Sequence, residues 1–495
     1  MAGIGFELKK LFSKKGLFAI LRAYGYAGIV CSGPMILGIV LILGIHILSM
    51  IGGASENTQN LLNAMITYTL FYSLFVSNLF SMITTRYTAD CMYMGKNAHV
   101  LPSFYGSISI MLVFGCITYA IFLCNAGIQP IYQILCLTLF GELIIVWTEI
   151  TYLSAVKDYK GILWTFFVAL LVALFIGYLL MINKMPVVVS LLSIICIGYG
   201  IMMVWYYYLL VEYFPQGKVS SFYFLKWFDK YPSLTFLGLF MSAGLFIHLI
   251  LMWFSPIGIK IQGLFYGAPS YDVPALFAFL STLITTINFV TSVEVNFYPK
   301  YKNYFGLFNF GGSLTDIQQA EVEMKVTLQN EMEYTFTKQF FVTLIFIIVG
   351  SIFLPLLPLG FTDQTLGIYR VLCVGYAFYA IGNSLMLITL YFSDNKGASI
   401  AGGLFALVSC IGTLILRSES SKYYGFGFVA GGVVFTLYSL IHLWRYLKNL
   451  MYHVLSTQPI VAADRCTVIT KWSNRFEERY ERMQRKQSRR NQYEE

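Results

Sequence analysis

Charged residues are scarce in this sequence. Of its 495 residues only 12% are Asp, Glu, Lys or Arg, whereas soluble domains average about 25%. Hydrophobic residues make up 58% of the chain, and the mean hydropathy is +0.69. This composition excludes an ordinary soluble protein and indicates that most of the chain lies in a membrane.

The sequence also lacks the motifs of common enzymes. It has no Gly-rich loop followed by Lys of the kind that binds nucleotide phosphates. Its nine Cys and five His residues show no metal-ligand spacing, and we expect His46, His248 and His442 to be packing residues. The gaps between apolar runs are too short to hold a glycosyltransferase domain. We therefore expect no metal, no cofactor and no catalytic activity.

Long apolar runs are what the sequence does have. Residues 23–51 contain no Asp, Glu, Lys or Arg over 29 positions, and about 20 apolar residues suffice to cross a bilayer as a helix. Hydropathy predicts twelve such spans in an all-α protein. The predicted spans are residues 23–51, 61–85, 102–125, 129–155, 162–182, 186–211, 232–255, 273–298, 339–358, 365–391, 397–416 and 424–447.

The positions of the basic residues predict the topology. If both termini are cytoplasmic, 28 of the 33 Lys and Arg residues fall in inner segments and 4 in outer loops. The remaining one, Arg370, lies inside a predicted span. This asymmetry follows the positive-inside rule, so we expect a multi-pass membrane protein with both termini in the cytoplasm. The net charge of +9 is explained in the same way and does not indicate a nucleic-acid partner.

The spans divide into two halves of six around a break near residues 213–217. Weak similarities between the halves indicate two pseudo-repeated six-helix bundles around a central cavity, a common transporter architecture. One of them relates the end of span 4, with Asp158, to the end of span 10, with Asp394. The predicted segments are an amphipathic N-terminus at 1–22, bundles at 23–211 and 232–450, a linker at 212–231, an amphipathic helix at about 313–336 and a basic tail at 451–495.

The tail and the amphipathic helix carry opposite charges. Residues 471–490 hold eight basic and three acidic side chains, whereas residues 313–336 are acidic on their polar face. The tail is interpreted either as a solvated helix attracted to anionic lipids or as a docking face for cytosolic partners or for the acidic helix.

Ionisable residues inside predicted spans are costly, and each is a candidate functional residue. Four of them fall at a similar inner depth, where opposite charges from the two halves could pair as a gate, or the arginines could meet a lipid phosphate. The alternatives are interface anchors for the arginines and static pairs for the others. The candidates for a substrate path or gate are Arg22, Arg86, Glu142, Glu149, Glu294 and Arg370.

Several motifs resemble those of the Pel exopolysaccharide transporter family (PelG). They are MAGIGFELKKL at residues 1–11, LRAYGYAG at 21–28 with SGP at 32–34, TTRYTAD at 84–90, SVE at 292–294 and IYRVL at 368–372. The resemblance extends to about Tyr452 and excludes the basic tail. Met35 departs from the family pattern, which has an aromatic residue there, so no stacking role is expected at this position.

The resemblance implies a fold of the multidrug/oligosaccharidyl-lipid/polysaccharide (MOP) exporter superfamily that works by alternating access or a continuous path. It implies export of an amino-sugar-rich polysaccharide, with a cytosolic glycosyltransferase and membrane scaffold subunits as partners. Two alternatives stay open at this point. One is a flippase for lipid-linked oligosaccharides, and the other is a non-transporting scaffold for a polysaccharide synthase.

Overall fold

A computed structural model describes residues 28, 37–38, 40–156, 158–356, 360–456 and 467–494, with the backbone alone at residues 294, 310 and 486–494. Arg22, the predicted amphipathic N-terminus and about half of predicted span 1 lie outside the described residues. Eleven helices of the described chain are long and apolar enough to cross a membrane. A shorter apolar helix, α1 (Val40–Ile51), represents the end of predicted span 1.

The first half of the chain forms five further long helices that match predicted spans 2 to 6. They are α2 (Glu56–Tyr93), α3 (Val100–Asn125), α4 (Pro130–Val156), α5 (Tyr159–Ile182) and α6 (Val187–Tyr213). A 3-10 turn (Tyr223–Leu225) and the short helix α7 (Lys226–Lys230) follow.

The second half begins with α8 (Pro232–Trp253) and holds the other long helices. After a small hairpin, β1 (Ile259–Gln262) and β2 (Phe265–Gly267), come α9 (Pro269–Phe279), α10 (Thr282–Ser292), a π-helical turn (Val293–Phe297) and α11 (Tyr298–Phe310). The remaining helices are α12 (Leu314–Phe353), α13 (Asp363–Tyr391), α14 (Asn395–Leu416), α15 (Phe426–Lys448), α16 (Leu450–Ser456) and α17 (Val468–Glu494).

The chain divides into two compact units. The N-terminal unit comprises Leu37–Ala243, Lys260–Tyr266 and Pro459–Glu495, and the C-terminal unit comprises Met1–Ile36, Gly244–Ile259 and Gly267–Gln458. Helix α17 of the C-terminal tail therefore belongs to the N-terminal unit, together with the 3-10 turn and α7.

The predicted amphipathic helix and predicted span 9 form one continuous helix, α12. It begins where the sequence predicts, because the Ser313 hydroxyl accepts a hydrogen bond from the Asp316 backbone N–H at 3.2 Å. The apolar stripe Ala320, Met324 and Leu328 is buried in the core of the C-terminal unit. The helix therefore turns one face to protein before it enters the apolar segment.

Small residues bring α14 and α15 together. A side chain at Gly412 would collide with the backbone of Gly427, and one at Gly431 would collide with Ser409. Close backbone approach through small residues is a common way to pack membrane helices, because lipid supplies no hydrophobic force between them. Larger residues at these positions would separate α14 from α15.

The same type of helix cap, formed by an Asp side chain, occurs in each unit. Asp158 Oδ1 accepts the Gly161 backbone N–H at 2.9 Å and so caps α5, and its Oδ2 accepts the Tyr213 hydroxyl at the end of α6 at 3.1 Å. This carboxylate joins the start of the fifth long helix to the end of the sixth.

The C-terminal unit repeats this arrangement. Asp394 Oδ1 accepts the Gly397 backbone N–H at 3.0 Å and caps α14, while its Oδ2 lies 2.6 Å from Nε2 of His442 on α15. His442 is thus a packing residue with a polar partner, as expected. The two caps give the weak sequence similarity between the halves a physical basis.

We predict that Asp394→Ala lowers the midpoint of thermal unfolding, because it removes both the helix cap and the contact with His442. The loss of a cap alone costs about 1 kcal/mol. Asp394→Asn keeps an acceptor for the Gly397 N–H, so it should cost less. The check is thermal unfolding of the detergent-solubilised protein, with the exposed neighbour Lys396→Ala as control. Equal midpoints for the two Asp394 variants and the wild type would refute the role of this cap.

Candidate transport residues

Arg86 lies near the end of α2 in a cluster that includes the chain around α7. Its Nε is 3.2 Å from Asp90 Oδ1, although the N–H points away from the line of a hydrogen bond, so the contact is an ion pair only. Its guanidinium carbon also lies 5.2 Å from the centre of the Tyr231 ring. The Arg86 side chain is 38% exposed, so one side of the guanidinium stays accessible.

Asp90 connects this ion pair to α7. Its Oδ2 accepts the indole N–H of Trp227 at 2.8 Å. Tyr87, on the preceding turn of α2, is fully buried and packs edge-on against the Trp227 ring at 4.8 Å. The end of α2 and the segment before α8 are therefore fixed to each other by one polar and one aromatic contact.

Glu149 lies on α4, where its carboxyl group has no hydrogen-bond partner among the described residues. Its exposure is 0%. Breaking a buried ion pair typically costs about 3–5 kcal/mol because one charge is left uncompensated. The Glu149 carboxylate is therefore in an unfavourable environment in this conformation.

Glu142 lies two turns before Glu149 on the same face of α4. It is partly exposed, its Oε2 lacks a hydrogen-bond partner, and a side chain at Gly200 on α6 would contact its Oε1. The two glutamates thus form an acidic stripe within the N-terminal unit. The ion-pair partner of Arg86 is Asp90 rather than either glutamate.

The other two predicted residues, Glu294 and Arg370, belong to the C-terminal unit. Arg370 on α13 is exposed, and its Nε donates to the Ser351 hydroxyl on α12 at 2.9 Å. The backbone of Glu294 lies in the π-helical turn Val293–Phe297, while its side chain is outside what the structure describes. Such π-helical turns are frequent at functional sites.

Lys338 was missed by the sequence analysis, which counted it among the inner-loop residues. It lies on α12, where its Nζ donates to Asn288 Oδ1 at 3.0 Å, and the Asn288 amide donates to the Thr335 hydroxyl at 3.0 Å. Asn288 is buried in α10, six residues before Glu294. Two features of the sequence could have indicated this contact. Predicted span 8 contains regularly spaced polar residues, and Lys338 directly precedes the apolar run of predicted span 9.

His248 and Asp272 form a second buried polar region in the C-terminal unit. His248 on α8 is fully buried, and its Nδ1 lies 2.9 Å from the Tyr271 hydroxyl, in line with the expected packing role. Asp272 accepts the indole N–H of Trp253 and the backbone N–H of Ala268. Asp272 was missed because it immediately precedes the predicted boundary of span 8.

A family model matches residues 1–455, and its description reads "PelG: Putative exopolysaccharide Exporter (EPS-E)". The chain belongs to the PelG family. No curated protein matches the sequence. This PelG protein is therefore a multi-pass membrane transporter of an exopolysaccharide-exporter family.

Solved structures with a similar fold are MATE and MOP superfamily transporters. An inward-facing MATE family transporter has 10% identity, covers 85% of this chain and 95% of its own, and has a TM-score of 0.56. A MOP superfamily transporter from Pyrococcus furiosus has 10% identity, coverages of 86% and 96%, and a TM-score of 0.55. The eukaryotic MATE transporter AtDTX14 has 12% identity, coverages of 93% and 99%, and a TM-score of 0.57.

These similarities establish the fold class of the PelG protein. MATE-like transporters have twelve helices in two repeats, which confirms the prediction of an all-α polytopic protein with about twelve spans in two repeated halves. Identities of 10–12% carry no information about the substrate. The family match, in contrast, confirms the resemblance seen in the sequence motifs.

Asp229 on α7 supplies a pH-dependent contact in the N-terminal unit. Its Oδ2 accepts the backbone N–H of Thr470, at 2.8 Å, and the Thr470 hydroxyl. Burial alone would raise the pKa of Asp229, but hydrogen bonds from Thr467 and Thr470 outweigh it and hold the pKa below its ordinary value. The charged carboxylate therefore stabilises the docking of α17 on α7.

We predict that this docking is constant near neutral pH and weakens under acid conditions. A lowered folded-state pKa contributes stability above the unfolded value of about 4, and this contribution is lost as the pH falls through the folded-state pKa. Asp229→Asn should loosen the first turn of α17 at neutral pH as well. The check is proteolysis of α17 in the full-length protein from pH 7 downwards. A wild-type protein that releases α17 between pH 8 and 6 would contradict the assignment.

Proposed function

We propose that this protein exports an amino-sugar-rich, Pel-like exopolysaccharide across the cytoplasmic membrane of a bacterium, and that it is not itself an enzyme. The observation that carries the proposal is the family match over residues 1–455. A cytosolic glycosyltransferase and membrane scaffold subunits would make the polymer and deliver it. Both termini would lie in the cytoplasm, which accounts for the distribution of Lys and Arg residues.

The acidic stripe of α4 suits a cationic sugar polymer. An amino sugar with a free amine carries a positive charge, and a partly exposed carboxylate such as Glu142 can pair with it. Neutral sugars would gain no comparable contact. We assign Glu142 to the substrate path on this basis.

Glu149 favours a moving transporter over a static scaffold. A scaffold that never changes state would keep a buried carboxyl in a fixed pair, because an unpaired one is costly. The unpartnered Glu149 side chain is instead expected to meet water or a cation in a second state of the export cycle. Alternating access supplies such a second state, and in it Glu294, Arg22 and Arg370 are assigned to the path or gate.

Arg86 would act at the entrance of the path. Its side chain is partly exposed beside Tyr231, and it is held in position by Asp90. An arginine placed in this way can bind phosphate or sugar hydroxyl groups with several donors at once. The same residue would also bind a lipid-linked glycan. Chemical analysis of the glycan that accumulates when export stops distinguishes a free polymer from a lipid-linked substrate.

We predict that Arg86→Ala abolishes most polymer export at normal protein abundance. Removal of a charged hydrogen-bond donor to substrate costs about 2–3 kcal/mol, or roughly a hundredfold in rate. The check is secreted polymer per unit of membrane protein in cells that lack the chromosomal gene copy. The matched control is Lys96→Ala, which removes an exposed cation just after α2.

Asp90→Asn separates substrate contact from a structural role of the ion pair. The Asn amide oxygen can still accept the Trp227 N–H, but the charge that pairs with Arg86 is gone. If Arg86 acts on substrate, Asp90→Asn should retain most export while Arg86→Ala does not. Equal losses in both variants would reduce Arg86 to a structural residue, and normal export by Arg86→Ala would remove it from the mechanism.

A further inference from the structure

Three side chains on one side of the C-terminal helix α17 attach it to the rest of the N-terminal unit. Thr470 donates to Asp229, Glu477 forms an ion pair with Lys226 at 2.9 Å, and the Ser473 hydroxyl donates to the Phe222 carbonyl at 3.0 Å. Thr470, Ser473 and Glu477 follow one another at three and four residues, so they share one face of the helix. We call this the docked face.

Four basic residues lie on roughly the opposite side. At 100° per residue, Lys471, Arg475, Arg479 and Arg482 cluster about half a turn away from the docked face. All four side chains are exposed. We call this the basic face of α17.

Exposed apolar side chains flank the basic face. Val468, Trp472 and Met483 are 63%, 56% and 61% exposed, respectively. Val468 lies within the basic face, whereas Trp472 and Met483 lie between it and the Phe476 ring, which packs against Phe222 in a tilted arrangement at 4.7 Å. A helix with clustered Lys and Arg beside exposed Trp and other apolar residues is typical of membrane-surface binding.

The attachment point fixes α17 close to the bilayer surface. Asp229 precedes the first residue of the membrane-spanning helix α8, Pro232, by only three residues. A residue so near to the start of a span lies at headgroup depth, and Thr470 is bonded directly to it. The basic face therefore begins within reach of lipid headgroups, a position that a freely extended tail would not have.

Acidic residues on the helix do not neutralise this face. Glu478 and Glu481 lie four residues before Arg482 and Arg485, with separations of 3.9 and 3.6 Å in exposed positions. Exposed pairs of this type are weak and screened by salt. They leave residues 471–490 with a clear excess of positive charge.

We propose that the basic face of α17 binds anionic lipid headgroups, with the docked face anchored on α7. Helix α7 also carries Trp227, which donates a hydrogen bond to Asp90, the ion-pair partner of Arg86. The lipid-bound helix α17 is therefore connected through α7 to the end of α2. The matched family region ends at residue 455, so α17 is an addition of this chain to the part that the family model covers.

Hydrogen exchange of the full-length protein in lipid nanodiscs tests the proposal. One set of nanodiscs contains only zwitterionic phosphatidylcholine, and the other contains phosphatidylcholine with a substantial fraction of anionic phosphatidylglycerol. We expect amides of residues 475–490 to exchange about tenfold more slowly in the anionic set, and this protection should fall at high salt. Amides of residues 470–474, next to the docked contacts, serve as an internal reference that does not depend on lipid.

The decisive variant is Arg475→Gln/Arg479→Gln/Arg482→Gln, which should lose the lipid-dependent protection. The matched control, Lys184→Gln/Lys260→Gln/Lys422→Gln, removes three exposed cations elsewhere and should keep it. Equal exchange in both lipid sets would overturn the proposal, as would equal loss in the two triple variants. Protection that needs an added cytosolic protein and not anionic lipid would also overturn it, because the face would then belong to a protein partner.

Discussion

The cost of an uncompensated charge in an apolar surrounding is the constraint on which this structure depends. Lipid offers neither water nor counter-ions, so ionisable side chains in a bundle need partners within the protein. Asp158 and Asp394 meet this need with helix caps, and Lys338 meets it with the Asn288 amide. Neither carboxyl oxygen of Glu149 has a hydrogen-bond partner among the described residues, so a functional change of environment is expected at this side chain.

The segment before α8 connects the end of α2 to α17 within the N-terminal unit. The aromatic and polar side chains of α7 contact the end of α2 through Trp227 and contact α17 through Asp229. Arg86, α7 and the C-terminal helix are therefore connected by consecutive contacts of about 3 Å. A change in how α17 meets the membrane surface would reach Arg86 through three residues, Asp229, Trp227 and Asp90.

Much of the fold could be predicted from the sequence, because the apolar runs and the Lys and Arg asymmetry act over many residues at once. The start of α12 was predicted as well, since Ser313 and Asp316 form a local cap. The docking of α17 on α7 could not be predicted, because it joins Asp229 to Thr470 across 241 positions. The hairpin β1–β2 was missed for a similar reason, as its short strands lack an apolar alternation.

The candidate site was predicted less completely than the fold. Hydropathy singles out charges inside apolar runs, so it named Glu142 and Glu149 as candidates. It does not reveal partners, so Asp90 was not recognised as the partner of Arg86. Lys338 lies at the edge of an apolar run and was counted with the loops, although its Nζ contacts a buried amide of α10. Charges near span ends need three-dimensional contacts before they can be classified.

The most direct test of the account is to measure Glu149→Gln for three properties in the same cells: polymer export, protein abundance and thermal stability of the purified protein. The Gln variant keeps the shape of the side chain but cannot gain or lose a proton. We expect export to be lost while abundance is normal and the unfolding midpoint stays close to that of the wild type, because Gln occupies the same space and is neutral in every state. Normal export, or a loss of export that merely follows a loss of stability, would contradict a role for Glu149 in transport.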